Sequence, residues 1–160
     1  ILYVSALIHG QDTLHVMVCH LPSRLGGGGA TEWKRIAAKQ VIQQQIDSIL
    51  RIQPKANIVV MGDMNGEAKD DLQSMNNLMV DWEIVGRGTY KNQGTWSFLD
   101  QFYVSQSLKN NAQVMIFSPE WLLEEDSKYL DYKPKRTYTG YRYHAGYSDH
   151  LPIVLTIQCK

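Results

Sequence analysis

IVVMGDMNGE, residues 58–67, decides how this chain is read. Ile58, Val59 and Val60 are β-branched and no polar side chain alternates with them, which is the pattern of a fully buried strand. Gly62 breaks the run. Asp63 and Asn65 stand two residues apart, so they project to the same side if the chain stays extended for one more step. A carboxylate and a carboxamide are therefore expected together at the strand's C-terminal end. A structural reading stands beside the functional one. Asn65-Gly66 is a strong turn signal, and Asp or Asn after a strand also closes loops through side-chain to backbone bonds.

Working outward, the residues before this strand predict a helix over 32–52, with Thr31 as N-cap and Glu32 favourably placed on the helix dipole. Trp33, Ile36, Ala37, Val41, Ile46, Ile49 and Leu50 fall mostly on one face, and Pro54 ends the helix. Residues 1–8 and 14–18 read as two strands joined by a short turn, a hairpin. Strand, helix, strand is the order of a crossover unit, which makes the strands flanking the helix candidates for parallel neighbours. Downstream, the pattern predicts a short helix near 69–76, a loop containing Gly86, Gly88 and Gly94, and strands over 95–105 and 113–118. A helical turn over 119–125 and a long tyrosine-rich loop over 131–147 follow. The last strand spans 151–157, with Pro152 near its start.

The 160 residues suit one domain with a real core, and 44% hydrophobic against 20% charged residues argues against disorder. Lys and Arg (16) balance Asp and Glu (16), so no overall field advertises a nucleic acid or a membrane surface, although a local basic patch stays open. Cys19 and Cys159 match no zinc spacing and make no disulfide scaffold. No stretch reaches the roughly 20 apolar residues of a membrane span. The start, ILYVSALIHG, lacks the pattern of a signal peptide. A strand at the first residue predicts that the chain is a piece of something longer.

Three further stretches carry chemistry. In YSDHLPIVL, Ser148, Asp149 and His150 are consecutive and so cannot meet one another as nucleophile, base and orienter, which excludes a serine triad and leaves Asp149 and His150 to act separately. In CHLPSRLGGGGATEW, His20 leaves a strand end and Arg24 follows, a guanidinium suited to a phosphoryl oxygen; Gly26 to Gly29 read as a flexible linker, not a Walker loop. In TWSFLDQFYVS, Asp100 interrupts an otherwise apolar strand, and a buried carboxylate there needs a partner such as an imidazole. Tyr138, Tyr141, Tyr143 and Tyr147, with Arg136 and Arg142, either stack and pair around a substrate or form a solvated loop.

HLPSR with His20, GDMN with Asp63 and Asn65, FLDQFYVS with Asp100, and SDHLPIV with Asp149 and His150 occur in this order over nearly the whole chain. Together they resemble the later motifs of the endonuclease/exonuclease/phosphatase superfamily, which includes pancreatic deoxyribonuclease and the apurinic endonucleases. The resemblance implies an α/β (α+β) fold, a deoxyribonuclease-like β-sandwich flanked by helices, with residues 1–160 forming the C-terminal portion of a single domain and its N-terminal part absent. It also implies a metal-dependent phosphoesterase using Mg2+ or Mn2+, in which activated water attacks phosphorus in line. By resemblance, Asp63 orients or activates the water, Asn65 holds the scissile phosphate and His20 donates to a phosphate oxygen. Asp149 is implied as a metal-site carboxylate, His150 as an imidazole facing the phosphate, and Asp100 as its orienter. These roles fit a phosphoryl group that gathers negative charge under attack.

Arg24 and Tyr143 complete the expected substrate contacts. Nucleic acid, a lipid head group and a sugar phosphate are all possible substrates, because fold does not fix substrate. The resemblance also points to a deficit. The family's earlier asparagine and metal-binding glutamate lie on strands that this sequence does not contain, and Glu67 is in the wrong place to substitute. The expected partners are therefore a separate N-terminal fragment of the same protein or a second copy. The alternative function is a non-catalytic binding module that keeps the fold without the glutamate.

Overall fold

The run at 58–60 lies at the centre of a five-stranded sheet in the computed structural model of the chain, which describes residues 1–8, 12–24, 29–67, 72–84 and 88–158. The sheet contains β1 (Leu2–Ile8), β2 (Asp12–His20), β3 (Asn57–Asp63), β4 (Met75–Asn77) and β7 (Asp100–Ser105), in the order β1-β2-β3-β7-β4. β1 and β2 pair antiparallel, as the expected hairpin requires; the turn at residues 9–11 lies outside the described residues. β2 and β3 pair in parallel across α1 (Glu32–Ile52), so the crossover expected from the order of elements is present.

Both faces of β3 are covered, which is why its sequence does not alternate. Ile58 and Val60 pack with Met17, Tyr103 and the α1 residues Ile42, Ile46 and Ile49. Val59 points the other way, into a second core with Phe102, Val104, Ile116 and Leu151. Each fully buried aliphatic side chain of this kind contributes about 1.5–3 kcal/mol. The second core is closed by β8 (Ala112–Ile116), antiparallel to β13 (Ile153–Ile157), whose Val114, Ile153 and Leu155 face it. The architecture is thus a β-sandwich with α1 on its outside. The short helix α2 (Val80–Ile84) and three two-stranded ribbons complete it: β5 (Tyr90–Asn92) with β6 (Thr95–Ser97), β9 (Leu123–Asp126) with β10 (Asp131–Pro134), and β11 (Tyr138–Thr139) with β12 (Arg142–Tyr143).

Several local expectations change. Of the helix expected at 69–76, residues 69–71 lie outside the described ones, while Met75–Asn77 is strand β4, pairing with β7; pairing with an exposed sheet edge overrides weak helical propensity. The single strand expected at 95–105 is two, because the chain turns at Phe98 and Leu99, where the Leu99 carbonyl accepts the Met64 N–H at 2.7 Å. The helical turn at 119–125 is a 3-10 turn over Glu120–Leu122 that runs into β9, and the loop at 131–147 carries β10 to β12.

The Thr31 hydroxyl does not cap α1. It donates to the Ser23 carbonyl at 2.8 Å and accepts from Arg35 at 2.7 Å. The buried face of α1 is Arg35, Ile42, Ile46 and Ile49, whereas Trp33, Ile36 and Val41 are exposed. Gly26 to Gly28, Gly86 and Cys159 lie outside the described residues; Cys19 is buried and its thiol is pushed up to about 11, chiefly by that burial, so it is unreactive at neutral pH.

Candidate active site

Sheet register assembles the site. His20 is opposite Asp63 in the parallel β2–β3 ladder, and Asp63 is opposite Asp100 in the antiparallel β3–β7 ladder. Three residues far apart in sequence thus form one row across three adjacent strand ends, where directly opposed side chains lie on the same face. The ladder runs one step further: the Leu21 N–H donates to the Asp63 carbonyl at 2.8 Å. Gly62, at φ +125, passes so close to β2 that a Cβ there would sit 2.0 Å from the Cys19 carbonyl oxygen. The glycine that ends the apolar run is what lets the two strands stay paired up to the row.

The Asp63-Asn65 pair makes the turn contacts of the structural reading and also faces His20. One Asp63 carboxylate oxygen accepts the Asn65 backbone N–H at 2.8 Å and closes the turn, with Asn65 itself in the left-handed region at φ 45. The other oxygen lies 3.6 Å from His20 Nε2. The buried Asn65 carboxamide donates to the Leu21 carbonyl at 3.0 Å, and its backbone carbonyl accepts from Arg24 Nε at 2.8 Å. Arg24 also lies 4.0 Å from Glu67, an ion pair at the cavity rim. Desolvation raises the Asp63 pKa above its ordinary value, and nearby Asp100 adds to this. The Asn65 N–H and the two imidazoles oppose it.

His150 is brought in from the last strand's approach. The Leu151 N–H donates to the Thr89 carbonyl at 2.7 Å, and the His150 backbone N–H donates to the Ser148 hydroxyl at 3.0 Å, so Ser148 shapes the turn. His150 Nδ1 lies 2.6 Å from an Asp100 carboxylate oxygen. A carboxylate only accepts, so Nδ1 carries the proton and Nε2 is the nitrogen left for other partners. Burial pulls the His150 pKa down, but the hydrogen bond and charge of Asp100, together with Asp63 and Asp149, outweigh it and leave the imidazole above its ordinary value. The imidazole that the Asp100 carboxylate required on sequence grounds is His150.

These residues line one cavity of about 740 Å³ that brings together His20, Arg24, Asp63, Asn65, Asp100, Asp149 and His150. Asp149 is exposed at its edge. Tyr143 is elsewhere: it is exposed on the β11–β12 hairpin, with its ring 5.4 Å from that of Tyr138, and does not line the cavity. The tyrosine that does is Tyr90, which sequence reasoning missed. Its position in GTYKN carried no recognisable signal, because only the β5–β6 ribbon and the Tyr90–His150 bridge bring it there.

The donors are of the kind a hard divalent cation takes, carboxylate oxygens beside a carboxamide. Their number does not fit a metal site on its own. Among the described residues, no three His, Cys, Asp or Glu side chains converge to hold an ion.

The model of the Endonuclease/Exonuclease/phosphatase family matches residues 1–159. No curated protein matches the sequence. Among solved structures, truncated TDP2 of Caenorhabditis elegans superposes with a TM-score of 0.62 at 15% identity, over 96% of this chain and 57% of that one. A humanized D. rerio TDP2 carrying 14 mutations gives 0.54 at 18% identity, over 94% and 57%, and the beta toxin of Staphylococcus aureus gives 0.54 at 16%, over 98% and 56%. Such low identities speak for the fold alone. The chain spans little more than half the length of each of these proteins.

Proposed function

Because this chain belongs to the endonuclease/exonuclease/phosphatase family, we propose that its cavity serves phosphate-ester hydrolysis by activated water. One observation carries this reading: the row His20–Asp63–Asp100 with His150 fastened to Asp100, all on one cavity with Asn65. Asp63, its carboxyl raised from the ordinary value by desolvation, is assigned to the attacking water. His150, steered by Asp100, and His20 are assigned to the phosphoryl oxygens, where donors stabilise the charge that develops under in-line attack. Arg24 is assigned to the same oxygens and Asn65 to the scissile phosphate.

Asp149 is the carboxylate we assign to Mg2+ or Mn2+, an ion that supplies positive charge beside a phosphate when bound. A single such ligand leaves most of the roughly six positions to water. The isolated chain is therefore expected to bind these ions weakly, in the millimolar range or above. Calorimetric titration with MgCl2 and MnCl2 checks this; a submillimolar site lost in Asp149→Asn would show that the chain completes its own metal shell. The same shortage of donors favours a second reading, a binding module that keeps the fold without turnover. A hydrolysis screen of the full-length protein with magnesium or manganese, across DNA, RNA, lipid phosphates and sugar phosphates, tests the first reading against the second. No turnover of any class overturns hydrolysis.

Association follows from the sheet edge. Among the described residues β1 pairs only with β2, and Leu2, Tyr3, Val4 and Leu7 are all exposed, at 41% to 65%, so apolar side chains on both faces of an open edge meet water. In isolation the chain is expected to self-associate through β1 or to retain a separate polypeptide of the same protein there. Native mass measurement decides: a well-folded 18.3 kDa monomer that binds no hydrophobic dye overturns the expectation.

A further inference from the structure

We infer that Tyr90 is a substrate-contacting residue of this cavity, its phenol hydroxyl donating to an oxygen of the phosphate ester. The inference rests on the phosphoesterase reading and adds a donor that the sequence motifs do not contain.

The ring is held from several sides. Tyr90 bridges to His150 through the backbone, and the two rings lie 5.0 Å apart at 43°. The Arg136 guanidinium lies 5.2 Å from the Tyr90 ring centre and also donates to the Lys91 carbonyl at 2.9 Å. The strand itself is anchored by Lys91, which is buried and reaches the Asp131 carboxylate at 2.6 Å and the Tyr132 carbonyl at 2.9 Å. A buried ammonium tied at two points is a costly device unless the position of its neighbour matters.

The hydroxyl, by contrast, is uncommitted. It makes no hydrogen bond among the described residues, while no buried side-chain nitrogen or oxygen among them lacks a partner. Tyr90 lines the cavity beside His20, Asn65 and His150, so a tyrosine whose phenol oxygen has no protein partner among the described residues borders the site. The other polar groups there are carboxylates, which only accept, two imidazoles, a guanidinium, amides and the hydroxyls of Ser23 and Ser97. A phenol O–H in that company complements an acceptor, and the acceptor that the rest of the cavity is built for is a phosphoryl oxygen. The Arg136 cation packs against the ring and helps to hold it in place.

Tyr90→Phe isolates the hydroxyl, because the ring contacts with His150 and Arg136 remain. In the active protein we expect this variant to melt with the wild type, to lose about tenfold in kcat/KM, and to raise the Ki of orthophosphate as a competitive inhibitor by a similar factor, the scale of one hydrogen bond to a charged group. Tyr90→Leu should lose more, since the imidazole then loses its neighbouring ring. If wild-type and Tyr90→Phe proteins share the same kcat/KM and orthophosphate Ki, the phenol is a packing group and this inference is overturned while the hydrolase reading stands. If the wild type hydrolyses no phosphate ester and orthophosphate does not bind, the hydrolase reading fails and the inference falls with it.

Discussion

His150→Ala is expected to cut phosphate-ester turnover by roughly 10²–10⁴-fold while the protein stays folded. The imidazole is only half-buried, belongs to neither hydrophobic core, and makes its strongest contact, at 2.6 Å, with the Asp100 carboxylate. Its removal opens no cavity in the core and strands one carboxylate at the edge of a wet site, a loss of about 1–3 kcal/mol. For a chain of this length that moves Tm by some 2–4 °C per kcal/mol. The effect on rate is larger because Nε2 has no partner to lose among the described residues and is assigned to charge that develops only at the transition state. Asp100→Asn separates the two roles. An asparagine keeps the shape but offers a neutral partner to Nδ1–H, so the ring loses its fixed orientation and the charge that raises its pKa. Turnover should then fall by less than in His150→Ala, with KM little changed. Steady-state kinetics beside thermal melts check both variants. A folded His150→Ala protein with near-normal kcat would remove this residue from the chemistry and with it the main support for the assigned roles.

The parts of this site that were legible in the sequence are those governed by local rules. IVVM reads as a doubly covered strand because its apolar residues do not alternate, and β3 is covered on both faces. The boundaries of α1 follow from Pro54 and the loop before Thr31. Asp100 could be picked out because a carboxylate inside an apolar strand demands a partner. Register, in contrast, is a long-range property. Nothing local says that His20 stands opposite Asp63 and Asp63 opposite Asp100; that alignment arises from a parallel and an antiparallel ladder meeting on one strand.

The same limit explains the errors. Trp33, Ile36 and Val41 satisfy helical periodicity as well as Ile42, Ile46 and Ile49 do, and only packing decides which stripe faces the sheet. Met75–Asn77 becomes a strand because the edge of β7 is open to it. Tyr143 was a reasonable substrate contact from composition alone, yet the chain turns it onto the β11–β12 hairpin and delivers Tyr90 to the cavity from a ribbon more than 50 residues earlier in sequence.

Gly62→Ala should be strongly destabilising. Two independent costs meet at this position. At φ +125 an L side chain is strained, a cost of about 1–3 kcal/mol. The added Cβ would also lie 2.0 Å from the Cys19 carbonyl oxygen, which is backbone and cannot swing aside, and such overpacking costs about 1–3 kcal/mol more. Together these are a large share of the roughly 5–15 kcal/mol that holds a domain folded. The strain can be relieved only by moving β2 away from β3 one residue before the row, so His20 separates from Asp63 and activity falls even where the protein remains folded. Two other glycines resolve the contributions. Gly140 has φ +60 with nothing within 4 Å of a Cβ, so Gly140→Ala carries backbone strain without a clash. A Cβ at Gly29 meets nothing within 4 Å either, and no positive φ constrains it, so Gly29→Ala should be close to neutral. Melting the three variants side by side should give the order Gly29→Ala, Gly140→Ala, Gly62→Ala from least to most destabilised, with Gly62→Ala lower than wild type by more than about 5 °C. If Gly62→Ala melts with Gly140→Ala and keeps full turnover, β2 and β3 tolerate separation at this point and close strand approach is not what builds the site.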